Sequence, residues 1–398
     1  MKLSFLSLAL VGFTCFTSIG QNRSIVFEHG TFAEIKAKAL KENKLVFIDA
    51  YTTWCGPCKH MAKTVFTNDT VADYFNKNFV NAKMDMEKGE GIEIAKQYQV
   101  QCYPNLLFID GKGNLIHRTA GSLPAKDFIA FAEETKIPEK QFAYFSNNYE
   151  SNKTNPEFLA KYISAREGTC LESREIVKDY FSLQKDADLS SKANWNMIVN
   201  HINDVDSREF KYLIANRKQF DDLYTSKSVD EKIESVNENR LYTILRTKPF
   251  NKSKYEETKK SIEQLRMPNT KRLFFESDLN LSEMNQDWIT YSKLAVDNVD
   301  QFYFDKSDAL NNMAWSFYEK VSDKDALAKA ESWAKRACEL DKSYANLDTY
   351  AAILYKEGKK THALEVANAA IDQAKKQQLS AADYQGTVDL LNNIKALK

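Results

Sequence analysis

The chain has 398 residues, with 55 basic against 55 acidic side chains and 43% hydrophobic content. That length exceeds one ordinary core and fits two or three domains. Zero net charge excludes a polybasic surface for nucleic acid or anionic membrane, and the apolar content excludes a wholly disordered chain.

Residues 1–20 read as an export signal. Lys2 opens it, Leu3 to Phe16 is mostly apolar, and Ser18 and Gly20 stand at the small positions before Gln21. The run is short for a membrane span, and no later stretch is long and apolar enough for one. No stable membrane span is therefore expected after signal removal. Nine of the 12 glycines lie in residues 1–140, so turns crowd the first third.

Residues 25–140 alternate strand and helix. A helix spans Phe32 to Lys41, followed by a strand at Leu45–Ile48 that ends in Asp49-Ala50-Tyr51. Cys58 to about Phe75 reads as one helical stretch. Strands follow at Phe79–Met84 and Leu106–Ile109, with a short helix at Ile92–Tyr98 between them. Asp110-Gly111-Lys112-Gly113-Asn114 turns the last strand into Leu115-Ile116-His117 as a hairpin. A helix at Ala125–Thr135 closes the region.

From 141 onward helical periodicity dominates. Helices are expected near 155–166, 172–183, 190–202, 206–217, 228–246 and 252–266, then near 282–298, 307–321, 324–340, 345–357, 360–376 and 380–396. Ala330, Ala334 and Ala337 recur as Ala363, Ala367 and Ala370 after 33 residues. With Leu347, Ala351, Leu354 and Gly358 between them, this resembles the tetratricopeptide repeat. A plain helical bundle with alanine-rich contacts is the other reading, and neither identifies a ligand.

Trp54-Cys55-Gly56-Pro57-Cys58-Lys59 follows an apolar strand and opens a helix. Unpaired backbone N–H groups there, with the helix dipole, stabilise a thiolate. Cys55 is expected as an exposed first-turn thiol. Cys58, three residues on, lies on the same side and can attack a mixed disulfide at Cys55. Pro57 is tolerated in the first turn, where its missing N–H has no helical partner. A Cys-x-x-Cys pair is also half of a zinc site, but no second pair exists, so no metal and no cofactor is expected.

Several distant positions agree on one resemblance. Asp49 stands six residues before Cys55, Lys83 sits in the next strand, and Tyr103-Pro104 precedes the strand Leu106–Ile109. With the active-site string, these resemble the thioredoxin family over about 115 residues. The wider string, with Lys59-His60-Met61, Phe66 to Val71 and Phe79-Val80, is similar to an exported thioredoxin-like branch. That branch is related to the C-terminal domain of the transmembrane thiol reductant transporter.

The resemblance implies an α/β thioredoxin fold at 21–140, and the helical periodicity beyond it implies an all-α, repeat-like part. The latter divides into helices at 141–300 and tetratricopeptide-like helices at 301–398. It implies that Asp49 is a buried base that takes the proton of Cys58, and that Lys83 tunes it; a plain surface lysine is the other reading of Lys83. A cis Tyr103–Pro104 bond would present the Tyr103 backbone to an extended substrate. Trp54, with Gly56 and Pro57, would shape the docking surface, or Trp54 would only anchor the core.

Cys102 reads as a passive small residue near the pair; a third redox thiol or a mixed-disulfide site is the alternative. Cys170 and Cys338 read as fillers of helical packing sites. His60 reads as exposed and passive. The whole is expected to be an exported thiol–disulfide oxidoreductase that reduces protein disulfides, with a bacterial periplasm as the expected address. A membrane thiol would donate its electrons, and the helices would bind a protein partner. The Gly56-Pro57 dipeptide resembles reducing members, with potentials around −270 mV. An adaptor using the helices, or a reductase dedicated to one client such as apocytochrome, are the alternatives.

Overall fold

The computed structural model describes residues 23–397, so the expected signal at 1–20 lies outside the described residues. The chain divides into two compact units, one ending at Asp188 and one beginning at Leu189.

In the first unit the elements run α1 (Phe32–Glu42), β1 (Leu45–Tyr51), α2 (Gly56–Thr64), α3 (Asp69–Asn78), β2 (Phe79–Asp85) and α4 (Gly91–Gln97). They continue with β3 (Asn105–Ile109), β4 (Leu115–Ala120), α5 (Ala125–Glu134), α6 (Phe142–Asn152), α7 (Pro156–Glu167) and α8 (Arg174–Ser182). The four strands form one sheet in the order β2-β1-β3-β4, with β1 parallel to β2 and the other pairs antiparallel. The fold class is the one the resemblance implied.

Strand alternation explains how the sheet is covered on both sides. Phe47, Leu106 and Phe108 pack with Met61, Phe66, Phe75 and Phe128 in one cluster. Val46, Ile48, Ala50, Leu107 and Ile109 pack with Phe32, Ile35 and Ile94 in the other. The first cluster is dense in phenylalanine: Phe75 stacks on Phe128 at 4.2 Å, and both lie within 5.3 Å of Phe47. Period 2 places Asp49 on the Phe47 face, and that face carries α2 through Met61.

The expected single helix from Cys58 to Phe75 is two. After α2 the chain turns at Val65–Asn68, and the Asn68 Oδ1 accepts from the N–H groups of Thr70 (3.1 Å) and Val71 (3.2 Å) to start α3. The expected hairpin is present, its turn held by Asp110 Oδ1 accepting from the N–H groups of Lys112 (2.9 Å) and Asn114 (2.8 Å).

Helix α6 was not expected. Its sequence, FAYFSNNYESN, is rich in Asn and aromatics, which are weak helix formers, so packing determines it. The Phe142 N–H donates to His117 Nδ1 on β4 at 3.0 Å, and Phe145 stacks on Tyr162 of α7. Burial holds the His117 imidazole below its ordinary pKa, although Glu134, 3.3 Å away, pulls the other way.

Among the described residues the second unit is all helix. It contains α9 (Lys192–His201), α10 (Arg208–Ala215), α11 (Arg217–Tyr224), α12 (Ser226–Arg246), α13 (Lys252–Glu263) and α14 (Thr270–Met284). It ends with α15 (Trp288–Tyr303), α16 (Ser307–Lys320), α17 (Lys324–Leu340), α18 (Tyr344–Lys356), α19 (Lys360–Lys376) and α20 (Gln385–Ala396). Helices α11 and α14 were not expected, and α15 begins at 288 rather than 282. Ser277 and Ser282 are buried in α14, which hides its apolar stripe from a periodicity reading; Ser277 accepts the Tyr255 hydroxyl at 2.7 Å. The six repeated alanines of α17 and α19 are all fully buried.

Candidate functional site

β1 ends at Tyr51, and the turn Thr52–Trp54 delivers Cys55 to the N-cap of α2. Cys55 is thus the cap itself, not a first-turn residue, and it is 3% exposed rather than open. It forms a disulfide with Cys58. The Cys58 backbone N–H donates to Cys55 Sγ at 3.1 Å. This N–H is one of the orphan donors of a helix start, and it is aimed at the sulfur that would carry negative charge once reduced. Pro57 occupies the first turn, as expected, and Gly56 has open space beside it.

Asp49 is 1% exposed. Its partner across the parallel β1–β2 ladder is Lys83, whose Nζ stands 3.5 Å from Asp49 Oδ2. That separation is an ion pair and longer than a good hydrogen bond, and neither carboxylate oxygen accepts a closer donor. Burial therefore dominates: it pushes the Asp49 carboxyl up to about 6, with Lys83 opposing. Lys83 is half-buried, with its ammonium 4.8 Å from the Tyr51 ring centroid, so it is no free surface lysine.

Trp54 is 65% exposed beside the pair, so it does not anchor the core. Its ring meets Tyr103 edge-on at 5.9 Å, and its Nε1 donates to the Glu87 carboxylate at 3.0 and 3.1 Å. The Tyr103–Pro104 bond is cis. The structure thus brings together Asp49 with Lys83 and Trp54 with Tyr103. His60 is exposed, with Nε2 3.4 Å from Thr64 Oγ1.

Three features escaped the sequence reading. Glu87 fixes the indole of Trp54 from a loop 33 residues away. Arg118 of β4 is buried and donates to the carbonyls of Tyr98 (2.5 Å) and Gln99 (3.4 Å) and to Asn105 Oδ1 (3.2 Å). It brackets the loop that carries Tyr103 on both sides. An arginine directly after the expected strand Leu115–His117 was the signal available for it. The third is a correction: Cys102 is not idle and Cys170 fills no helical packing site, because the two form a second disulfide. Cys170 sits in the turn between α7 and α8, where chain reversal leaves it exposed. Cys338 is a free thiol on α17, and burial pushes it up to about 12, far from a reactive thiolate.

The family model for thioredoxin matches residues 26–134. A thioredoxin-like protein of Synechocystis, slr0233, is 33% identical over 102 residues, which are 26% of this chain and 89% of that protein. The thiol:disulfide interchange protein DsbD of Yersinia pestis is 30% identical over 105 residues, covering 26% of this chain and 18% of that one. Among solved structures, a candidate disulphide-isomerase from Bacteroides thetaiotaomicron is 46% identical, covering 29% of this chain and 97% of its own, with a TM-score of 0.28. Other curated relatives are spanned over about half their length, among them the chloroplast thioredoxin Y of rice at 55%.

Proposed function

Since the chain belongs to the thioredoxin family, we propose that it is a thiol–disulfide oxidoreductase whose reacting groups are Cys55 and Cys58. The observation that carries this is the placement of Cys55 at the N-cap of α2, with the Cys58 N–H on its sulfur. Reduced Cys55 attacks one sulfur of a substrate disulfide as a thiolate, forming a mixed disulfide and releasing the other substrate sulfur as a thiolate, which takes up a proton. Asp49 takes the proton of Cys58. The Cys58 thiolate then attacks Cys55 Sγ, releases the second substrate thiolate, and leaves the Cys55–Cys58 disulfide. Lys83 opposes the burial of Asp49 and keeps its carboxyl able to ionise near neutral pH.

Exposed Trp54 and half-buried Tyr103 offer an aromatic platform beside the pair, with Gly56 leaving room at the helix start. A substrate strand docks there along the Tyr103-Pro104 segment. The Gly56-Pro57 dipeptide supports the reductase direction. The apolar start of the sequence and the likeness to a thiol:disulfide interchange protein support export, with a bacterial periplasm as the address and a membrane thiol as donor. The alanine repeat supports partner binding by tetratricopeptide-like helices.

Trapping tests this reading. In Cys58→Ala the resolving thiol is gone, so mixed disulfides with clients should accumulate on Cys55 and vanish in Cys55→Ser/Cys58→Ala. One dominant client would indicate a dedicated reductase, and several a general one. No trapped species would contradict the mechanism. A redox titration with a midpoint around −120 mV, the range of a strong oxidant, would contradict the reductase direction.

A further inference from the structure

The mechanism leaves the Cys102–Cys170 bond unused. Cys102 immediately precedes Tyr103, whose ring contacts Trp54 beside Cys55. Arg118 holds the backbone at Tyr98 and Gln99 on one side of this loop and Asn105 on the other. The disulfide ties the middle of the loop to the turn between α7 and α8.

That turn has two further properties. Cys170 is exposed and adopts φ +58°, a left-handed conformation unfavourable for a residue with a Cβ. The turn also has anchors that do not depend on sulfur. Gly168 O accepts from the Ala120 N–H at 2.6 Å and from Thr119 Oγ1 at 3.2 Å, and Arg166 Nε donates to Glu172 O at 2.9 Å. Opening the disulfide therefore frees the middle of the loop, while the turn stays seated on β4 through Gly168.

We propose that Cys102–Cys170 is a second redox centre: a disulfide that dithiol reductants open in the folded chain, and whose closed state holds the loop around Tyr103 in the form that binds protein disulfides. The effect on substrates rests on the oxidoreductase reading of Cys55 and Cys58. A reductant thiolate attacks Sγ of exposed Cys170, and Cys102 leaves as a thiolate that takes a proton. The second thiolate of the reductant then attacks the mixed disulfide and releases Cys170. Two electrons pass to the protein, and the reductant leaves as its own disulfide. Loop ordering is then no longer supplied in advance, and a protein substrate must supply it on binding.

The full chain is equilibrated in dithiothreitol buffers of graded potential, alkylated with iodoacetamide, and mapped by peptide mass, with circular dichroism read in parallel. Cys102 and Cys170 should become alkylated while the spectrum stays native. In Cys170→Ser, KM for insulin should rise roughly tenfold over wild type with the closed bond. Turnover of a small aromatic disulfide should stay within about twofold, since it needs no docking loop. A pair that opens only with loss of the native spectrum would overturn the proposal, and so would an unchanged KM for insulin. If Cys170→Ser does not fold, the wild-type titration decides alone. Small-disulfide turnover reports Cys55 and Cys58 separately. Its absence in wild type would count against the oxidoreductase reading, and the alkylation titration would still judge whether the bond opens in the folded chain.

Discussion

Asp49 carries opposed demands on stability and chemistry. Its carboxyl titrates near 6 in the folded chain, against about 3.9 when unfolded. The fold thus favours the protonated form: the stability this contributes is complete below about pH 4 and is lost as pH rises through about 6. Asp49→Asn should therefore raise unfolding stability at pH 7.5 by about 2–3 kcal/mol, and hardly at all at pH 4, as read by urea denaturation. The same change should slow release of the mixed disulfide by roughly a hundredfold or more. In the wild type that step should accelerate as pH rises through about 6, where the base becomes available; stopped-flow measurement at graded pH checks this.

Trp54→Ala should raise KM for insulin about tenfold, since an exposed aromatic beside the reacting sulfurs has the character of an interface anchor. Asp49, Cys55 and Cys58 were legible because they stand at fixed spacings within one strand-turn-helix pattern, and Lys83 because it stands in the next strand, β2. Glu87 was not, because its contact with Trp54 joins two loops. The Cys102–Cys170 pairing was not either, since cysteine spacing alone does not define connectivity.

Elements that position the site depend on a few local choices. Asn68 separates α2 from α3, so Asn68→Ala should cost about 1 kcal/mol in thermal or urea unfolding. Gly91 opens α4 against the end of β2. A Cβ there would lie 1.9 Å from Asp85 O, so Gly91→Ala must displace backbone, and a loss of about 1–3 kcal/mol is expected in the same measurement. Elements with clean periods, the four strands, α4, α5 and α16 through α19, were readable, whereas α2 and α3 read as one helix. Those whose burial is carried by polar or aromatic residues were not: α6 is held by Phe142 and Phe145, and α14 buries two serines.

At the scale of the molecule, the first compact unit extends to Asp188 and includes α6–α8. Phe142 and Phe145 are buried in the contacts that α6 makes with β4 and α7. A fragment of residues 21–140 should therefore be at least about 3 kcal/mol less stable than one of 21–188, measured by urea denaturation of both. Neutral overall charge leaves recognition to shape and thiol chemistry, and the test of that chemistry is the reduction of insulin by dithiothreitol, followed as turbidity. The full chain should shorten the lag, and Cys55→Ser should behave as buffer alone. Equal rates for wild type and Cys55→Ser would contradict the account and leave the chain a binding protein with a thioredoxin fold.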